Sequence, residues 1–86
     1  MTYLVEILVM KGKSVYDPQA NGIKMALKSM GFEGIDTLSY GRSITYTTTQ
    51  ENEKLVREQA DEMCRKFLSN SVNERYEIVS IEEVDN

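Results

Sequence analysis

Residues 3–10, YLVEILVM, are apolar on both sides of a two-residue repeat. Tyr3, Val5, Ile7 and Val9 lie on one face, and Leu4, Glu6, Leu8 and Met10 on the other. A short, partly β-branched run of this kind reads as a strand. Residues 11–19, KGKSVYDPQ, break the pattern and contain a strong helix start, Asp17-Pro18. The aspartate carboxylate accepts from the free amides of a first helical turn, and the proline has no amide to leave unpaired there. The apolar period then lengthens, which predicts a helix to about Met30 with Gly31 as its stop. Ala20, Ile23, Ala26, Leu27 and Met30 share one side of that helix, and Asn21, Lys24, Met25 and Lys28 the other.

From residue 34 to 49 the period returns to two. Leu38 shares a face with Tyr40, and Ile44 with Tyr46; the stretch Tyr40-Gly41-Arg42-Ser43 lies between these runs, which predicts a β-hairpin turning near Gly41. Its second arm, SITYTTT, is mostly hydroxyl-bearing and adds little core. Thr48 followed by Glu51 fits a capping box for a helix from about Thr49 to Leu68, with Asn70 as a left-handed stop. The apolar stripe of this helix is Val56, Ala60, Met63 and Phe67, with Cys64 on its shoulder beside Ala60 and Leu68. A last strand from Tyr76 to about Glu82 places Val79 and Ile81 on one face and Tyr76 and Ile78 on the other.

The order is β-α-β-β-α-β. The economical packing is an α+β two-layer sandwich, a four-stranded antiparallel sheet with two helices on one face, ferredoxin-like or a close relative. Strand order stays open at this point. The 86 residues make one domain, 1–86, with an acidic tail from about Glu82. The two-faced first strand has a further consequence. Two helices cover one side of a sheet, and the other side retains Leu4, Leu8 and Met10, or Tyr3, Val5, Ile7 and Val9 if the strand is turned over. Exposed apolar residues in a contiguous patch mark an association surface, so the sequence predicts a dimer-forming domain.

Composition narrows the chemistry. A net charge of −4 disfavours a nucleic-acid partner. The first apolar run is too short to span a bilayer, and a single cysteine suits a reducing, cytoplasmic setting. The chain has no histidine, which removes Cys/His and Ser/His catalysis and any metal site built on several His or Cys ligands. Cys64 sits toward the C-terminal end of its helix, where the dipole disfavours a thiolate, so it reads as packing. The glycines form no phosphate cradle. No catalytic, cofactor or metal residue is assigned. The exposed connections remain, with Lys11, Lys13, Tyr16, Gly41 and Arg42 as candidate partner contacts and Leu4, Leu8 and Met10 as the candidate self-association face.

Several stretches, taken together and in order, resemble the PurS family. Val15-Tyr16-Asp17-Pro18-Gln19, Ile23, Ala26-Leu27 and Met30-Gly31-Phe32 are similar to its first half, and Gly41-Arg42-Ser43-Ile44 to its Gly-basic-x-Ile element. Met63-Cys64-Arg65-Lys66-Phe67-Leu68-Ser69-Asn70 and Val72 to Ile78 are similar to its second half. The resemblance implies a small, non-catalytic, dimer-forming subunit of phosphoribosylformylglycinamidine (FGAM) synthase. It implies partners as well: a synthetase subunit that binds ATP and Mg, and a glutaminase subunit that releases ammonia. This chain would bridge the two, help ammonia pass, and hold no cofactor itself. The alternative reading is a small dimeric regulatory module that senses an amino acid or nucleotide through the Lys11-Gly12-Lys13 connection; a small hydrolase of acylphosphatase type is more distant, since its phosphate-gripping arginine loop has no counterpart here.

Overall fold

The computed structural model describes residues 1–13 and 15–84. In chain order it contains β1 (Thr2–Lys11), α1 (Pro18–Ser29), β2 (Gly41–Thr49), α2 (Glu53–Met63), a π-helical turn (Cys64–Leu68) and β3 (Glu74–Val84). The strands form a three-stranded antiparallel sheet in the order β2-β1-β3. The most apolar strand is therefore the central one, as its two-sided pattern requires. Tyr3, Val5, Ile7 and Val9 are buried beneath Val56, Ala60 and Cys64 of the second helical segment, and these seven residues make the core.

Two of the expected joints form as read. Asp17 caps α1 by accepting from the amides of Gln19 and Ala20 at 3.0 and 3.3 Å. Gly31 has φ +93, and the chain leaves α1 with Gly31 N–H donating to Lys28 O and Phe32 N–H to Leu27 O. That crossed pair is the Schellman closure, which needs a left-handed residue at this point.

Other expectations are corrected. The fourth strand is absent among the described residues: residues 32–40 carry no strand, and β2 begins at Gly41, where a turn was expected. Gly41 pairs with Met10, and a Cβ there would lie 2.5 Å from Val9 O. The glycine serves close strand approach, not a hairpin turn. The Thr48–Glu51 capping box does not form, because Thr48 and Thr49 belong to β2; Asn52 caps α2 instead, accepting from Leu55 N–H at 3.0 Å. Asn70 is not left-handed, since no described non-glycine residue has positive φ. The simple alternation predicted for the last strand also fails. Glu6 pairs with Ser80 but Ile7 with Ile78, so Val79 is an extra residue that bulges out. Ile81, Ile78 and Tyr76 consequently all face the core, opposite Val5, Ile7 and Val9. The strand continues to Val84 through the expected acidic tail, of which Asp85 and Asn86 lie outside the described residues.

The end of the second helix differs in a way that matters for the surface. Val56, Ala60 and Cys64 recur every four residues, a step that drifts about 40° around an α-helix each time. The last turn widens, with Ser69 N–H donating to Cys64 O at 3.1 Å. This keeps Leu68 against the core and turns Phe67, expected in the stripe, out to 87% exposure.

Among the described residues, α2 and the π-helical turn that continues it cover the sheet. Ala20 is the single buried residue of α1, and Ile23, Met25 and Met30 are exposed. The expected two-helix layer is thus half built, and α1 projects past the end of the sheet. The radius of gyration is 16.3 Å and the extents are 50 × 29 × 15 Å, whereas a compact chain of this length has a radius near 12 Å.

Candidate functional site

The thiol offers no reaction centre. Cys64 is fully buried between α2 and the sheet, and burial, with the Asp61 carboxylate behind it, pushes its pKa up. A raised thiol pKa is the opposite of what a nucleophile needs. Nearby, the Tyr76 hydroxyl donates to Asp61, which ties β3 to α2 and raises the Tyr76 pKa. Among the described residues, no three His, Cys, Asp or Glu side chains gather as metal ligands. No described helix is long and apolar enough to cross a membrane.

Two of the candidate contact residues have internal work. The Arg42 guanidinium reaches across the end of the sheet, donating to Glu74 Oε2 at 2.8 Å, to Glu74 Oε1 at 3.1 Å and to Leu68 O at 2.7 Å. Glu74 Oε1 also accepts from Asn70 N–H at 2.8 Å. The arginine beside it, then this backbone donor, hold the Glu74 carboxyl at about 2, against an ordinary 4.5. One forked side chain therefore joins β2, the end of the π-helical turn and the start of β3. Gly41 next to it is fixed by steric need, as above.

The other three candidates lie together. Lys11, Lys13 and Tyr16 line a cleft of about 530 Å³ at the end of the sheet, between the β1–α1 connection, α1 and residues 36–40. Lys24 and Arg75 line it too. Sequence reasoning missed these two, because α1 and the start of β3 are far apart in the chain; only the fold brings them to the same opening.

Among the described residues, apolar surface lies open on two faces, apart from the exposed Phe67 and Val72. The first is the sheet face opposite α2, where Leu4, Leu8 and Met10 form a narrow stripe. Thr47, Ser43 and Gly41 stand beside it on β2, and Glu82, Glu77 and Arg75 on β3. Glu6 within the stripe accepts from the Ser43 hydroxyl at 3.1 Å. The second is the apolar side of α1 with its exit, Ile23, Ala26, Met30 and Phe32. Its signal was present in the helical spacing, which reads equally well as a face meant for the chain's own sheet.

The family model described as PurS: phosphoribosylformylglycinamidine (FGAM) synthase matches residues 4–82. The phosphoribosylformylglycinamidine synthase subunit PurS of Methanocaldococcus jannaschii is 31% identical over 83 residues, which cover 96% of this chain and 99% of the relative. Among solved structures, PurS of Thermus thermophilus superposes with a TM-score of 0.87 at 25% identity, over 99% of this chain and 100% of that one. A chain in the PurLQS structure from Thermotoga maritima gives 0.83 at 27% identity, over 98% and 99%. The chain belongs to the PurS family. These relatives do not favour the alternative of a ligand-sensing module.

Proposed function

We propose, on the premise of that membership, that the chain works as a dimer that joins a glutaminase subunit to a synthetase subunit and assists the passage of ammonia between them. The broader statement stands on the family: this is the PurS subunit of FGAM synthase, a non-catalytic part of a ligase in purine biosynthesis. The PurLQS structure of Thermotoga maritima supports assembly with PurL and PurQ type partners. The complex converts formylglycinamide ribonucleotide to formylglycinamidine ribonucleotide at the expense of ATP and glutamine. In this reading ATP and its magnesium belong to the synthetase subunit. The small subunit holds two active sites in register and keeps ammonia from water, where protonation would end its use as a nucleophile. Its setting is the cytoplasm, in keeping with the one free thiol.

The observation that carries the dimer is surface area. The chain exposes 6285 Å², where a compact 9.9 kDa protein exposes about 5,200 Å². The excess of about 1,000 Å² is close to what one partner loses in a standard interface. Exposed apolar side chains of α1 and the open sheet face, Ile23, Met30 and Leu4 among them, contribute to it. Lys28 in the last turn of α1 matches in charge the Glu77 and Glu82 that flank the Leu4–Leu8–Met10 stripe. A two-fold pair in which each α1 lies over the other copy's sheet satisfies both surfaces at once. The half-buried Lys11 and the exposed Lys13 and Tyr16 then remain for the other subunits, while Gly41 and Arg42 shape the adjoining rim.

The test has two stages. Sedimentation equilibrium of the purified chain should give a dimer or a multiple of it. Co-purification with the synthetase and the glutaminase, in the presence of glutamine and nucleotide, should retain all three. A lone protomer that neither partner retains would end the proposal.

A further inference from the structure

The cleft at the end of the sheet concentrates positive charge on a chain that is acidic overall. Lys11, Lys13, Lys24 and Arg75 line it against two carboxylates, Asp17 and Asp36. With a net charge of −4 for the whole chain, the rest of the surface is more acidic still. Its acids are partly disarmed: the Asp17 carboxylate faces the amides of its own helix cap. Its cations are not spent on contact ion pairs. Lys24 donates to the Asp36 carbonyl and Arg75 to the Lys11 carbonyl. Lys13 is exposed, with no bonding partner among the described residues.

The frame of the cleft is also held in place. Gly12 N–H donates to Asn73 O at 2.9 Å, which pins the Lys11-Gly12-Lys13 connection to the start of β3, and Val15 N–H closes a turn onto Gly12 O at 3.0 Å. Lys24 ties residues 36–40 to α1 as the opposite wall. A small anion is a poor match for the space. Small-molecule sites enclose most of their ligand's surface, and this cleft of about 530 Å³ is open along one side, with no buried polar side chain in its lining. An extended chain lying along the opening makes fuller use of it.

We infer that this cleft receives an acidic segment of a partner subunit in the assembled synthase. The inference rests on the bridging role proposed above and gives one of its contacts a chemistry: carboxylates of the partner against Lys11, Lys13, Lys24 and Arg75. Such a contact speeds encounter and fixes register, and it weakens as salt rises.

The experiment compares wild type, Lys13→Gln and Lys13→Glu in assembly with the synthetase and glutaminase, reading dissociation constants at about 50 and 300 mM salt, where the screening length is about 14 and 6 Å. Lys13 bonds to nothing among the described residues, so both variants should fold as wild type by circular dichroism. Lys13→Glu should weaken assembly about tenfold at low salt and flatten the salt dependence, with Lys13→Gln between, as expected for a contact at a partly exposed charge pair. Equal constants for all three proteins would overturn the inference and leave the bridging role intact. Competition by inorganic phosphate or ADP at constant ionic strength, lost in Lys13→Glu, would overturn it in favour of a small-anion site. A Lys13→Glu effect confined to self-association would show that the chain's own second copy fills the cleft. Wild type failing to assemble at all would refute the bridging role, and this contact with it.

Discussion

Replacing Glu74 by Gln tests the Arg42 clamp in one step. Glutamine keeps the shape and an acceptor for Asn70 N–H, but it removes the charge that faces the guanidinium. The Glu74 carboxyl sits at about 2 instead of 4.5, which at about 1.4 kcal/mol per tenfold sets a ceiling near 3 kcal/mol on its pH-dependent stabilisation. The Arg42 side chain is 52% exposed, although that of Glu74 is only 13%. Solvent screening on the arginine side brings the expected value down to about 1–2 kcal/mol. The direction follows from the lowered pKa. The contribution is complete above the unfolded-state value near 4.5, declines as the pH falls toward 2, and is gone below it. Urea unfolding at fixed protein concentration should therefore show Glu74→Gln less stable than wild type by about 1–2 kcal/mol at pH 7, with the two curves converging near pH 2. A deficit of the same size at both pH values would refute the reasoning, because a shape effect does not titrate.

Three shorter expectations follow from the packing. Cys64 should resist a disulfide-exchange reagent in the native protein at pH 8 and label only at the rate of unfolding; rapid labelling would contradict its burial. Gly41→Ala should cost about 1–3 kcal/mol in urea unfolding, since its Cβ would press on Val9 O at 2.5 Å and Met10 Cγ at 2.9 Å. Met30→Asp, at a side chain 71% exposed in the single chain, should leave the circular dichroism spectrum unchanged while raising the self-dissociation constant about tenfold or more by ultracentrifugation, because it places a charge on the apolar face of α1.

What could be read in advance was whatever rests on local chemistry. Asp17-Pro18 and Gly31 act through amides within a few residues of themselves, so their spelling sufficed to place both ends of α1. The inward face of β1 was narrowed to two choices by its alternation. The misses are settled at longer range. Val79 bulges because β3 must bring both Ile81 and Tyr76 over the β1 core, which no alternation within β3 reveals. Phe67 and Leu68 are both apolar at adjacent positions; the tighter fit of Leu68 beside Cys64 decides between them through the π-helical turn. Residues 36–40 have the alternation of a strand but pair with neither open edge of the β2-β1-β3 sheet. The cleft was half legible, through Lys11, Lys13 and Tyr16. Lys24 and Arg75 needed the topology to bring them there.

The projecting α1 has a consequence for how the cell handles this protein before assembly. Twelve residues are too few for a helix to hold in water by propensity alone, so its order depends on what it leans against. At high dilution it should fray and become a site for proteolytic clipping while the sheet beneath α2 stays intact. Surplus copies made without their companions would then be the first to be degraded, and subunit numbers would be balanced by turnover.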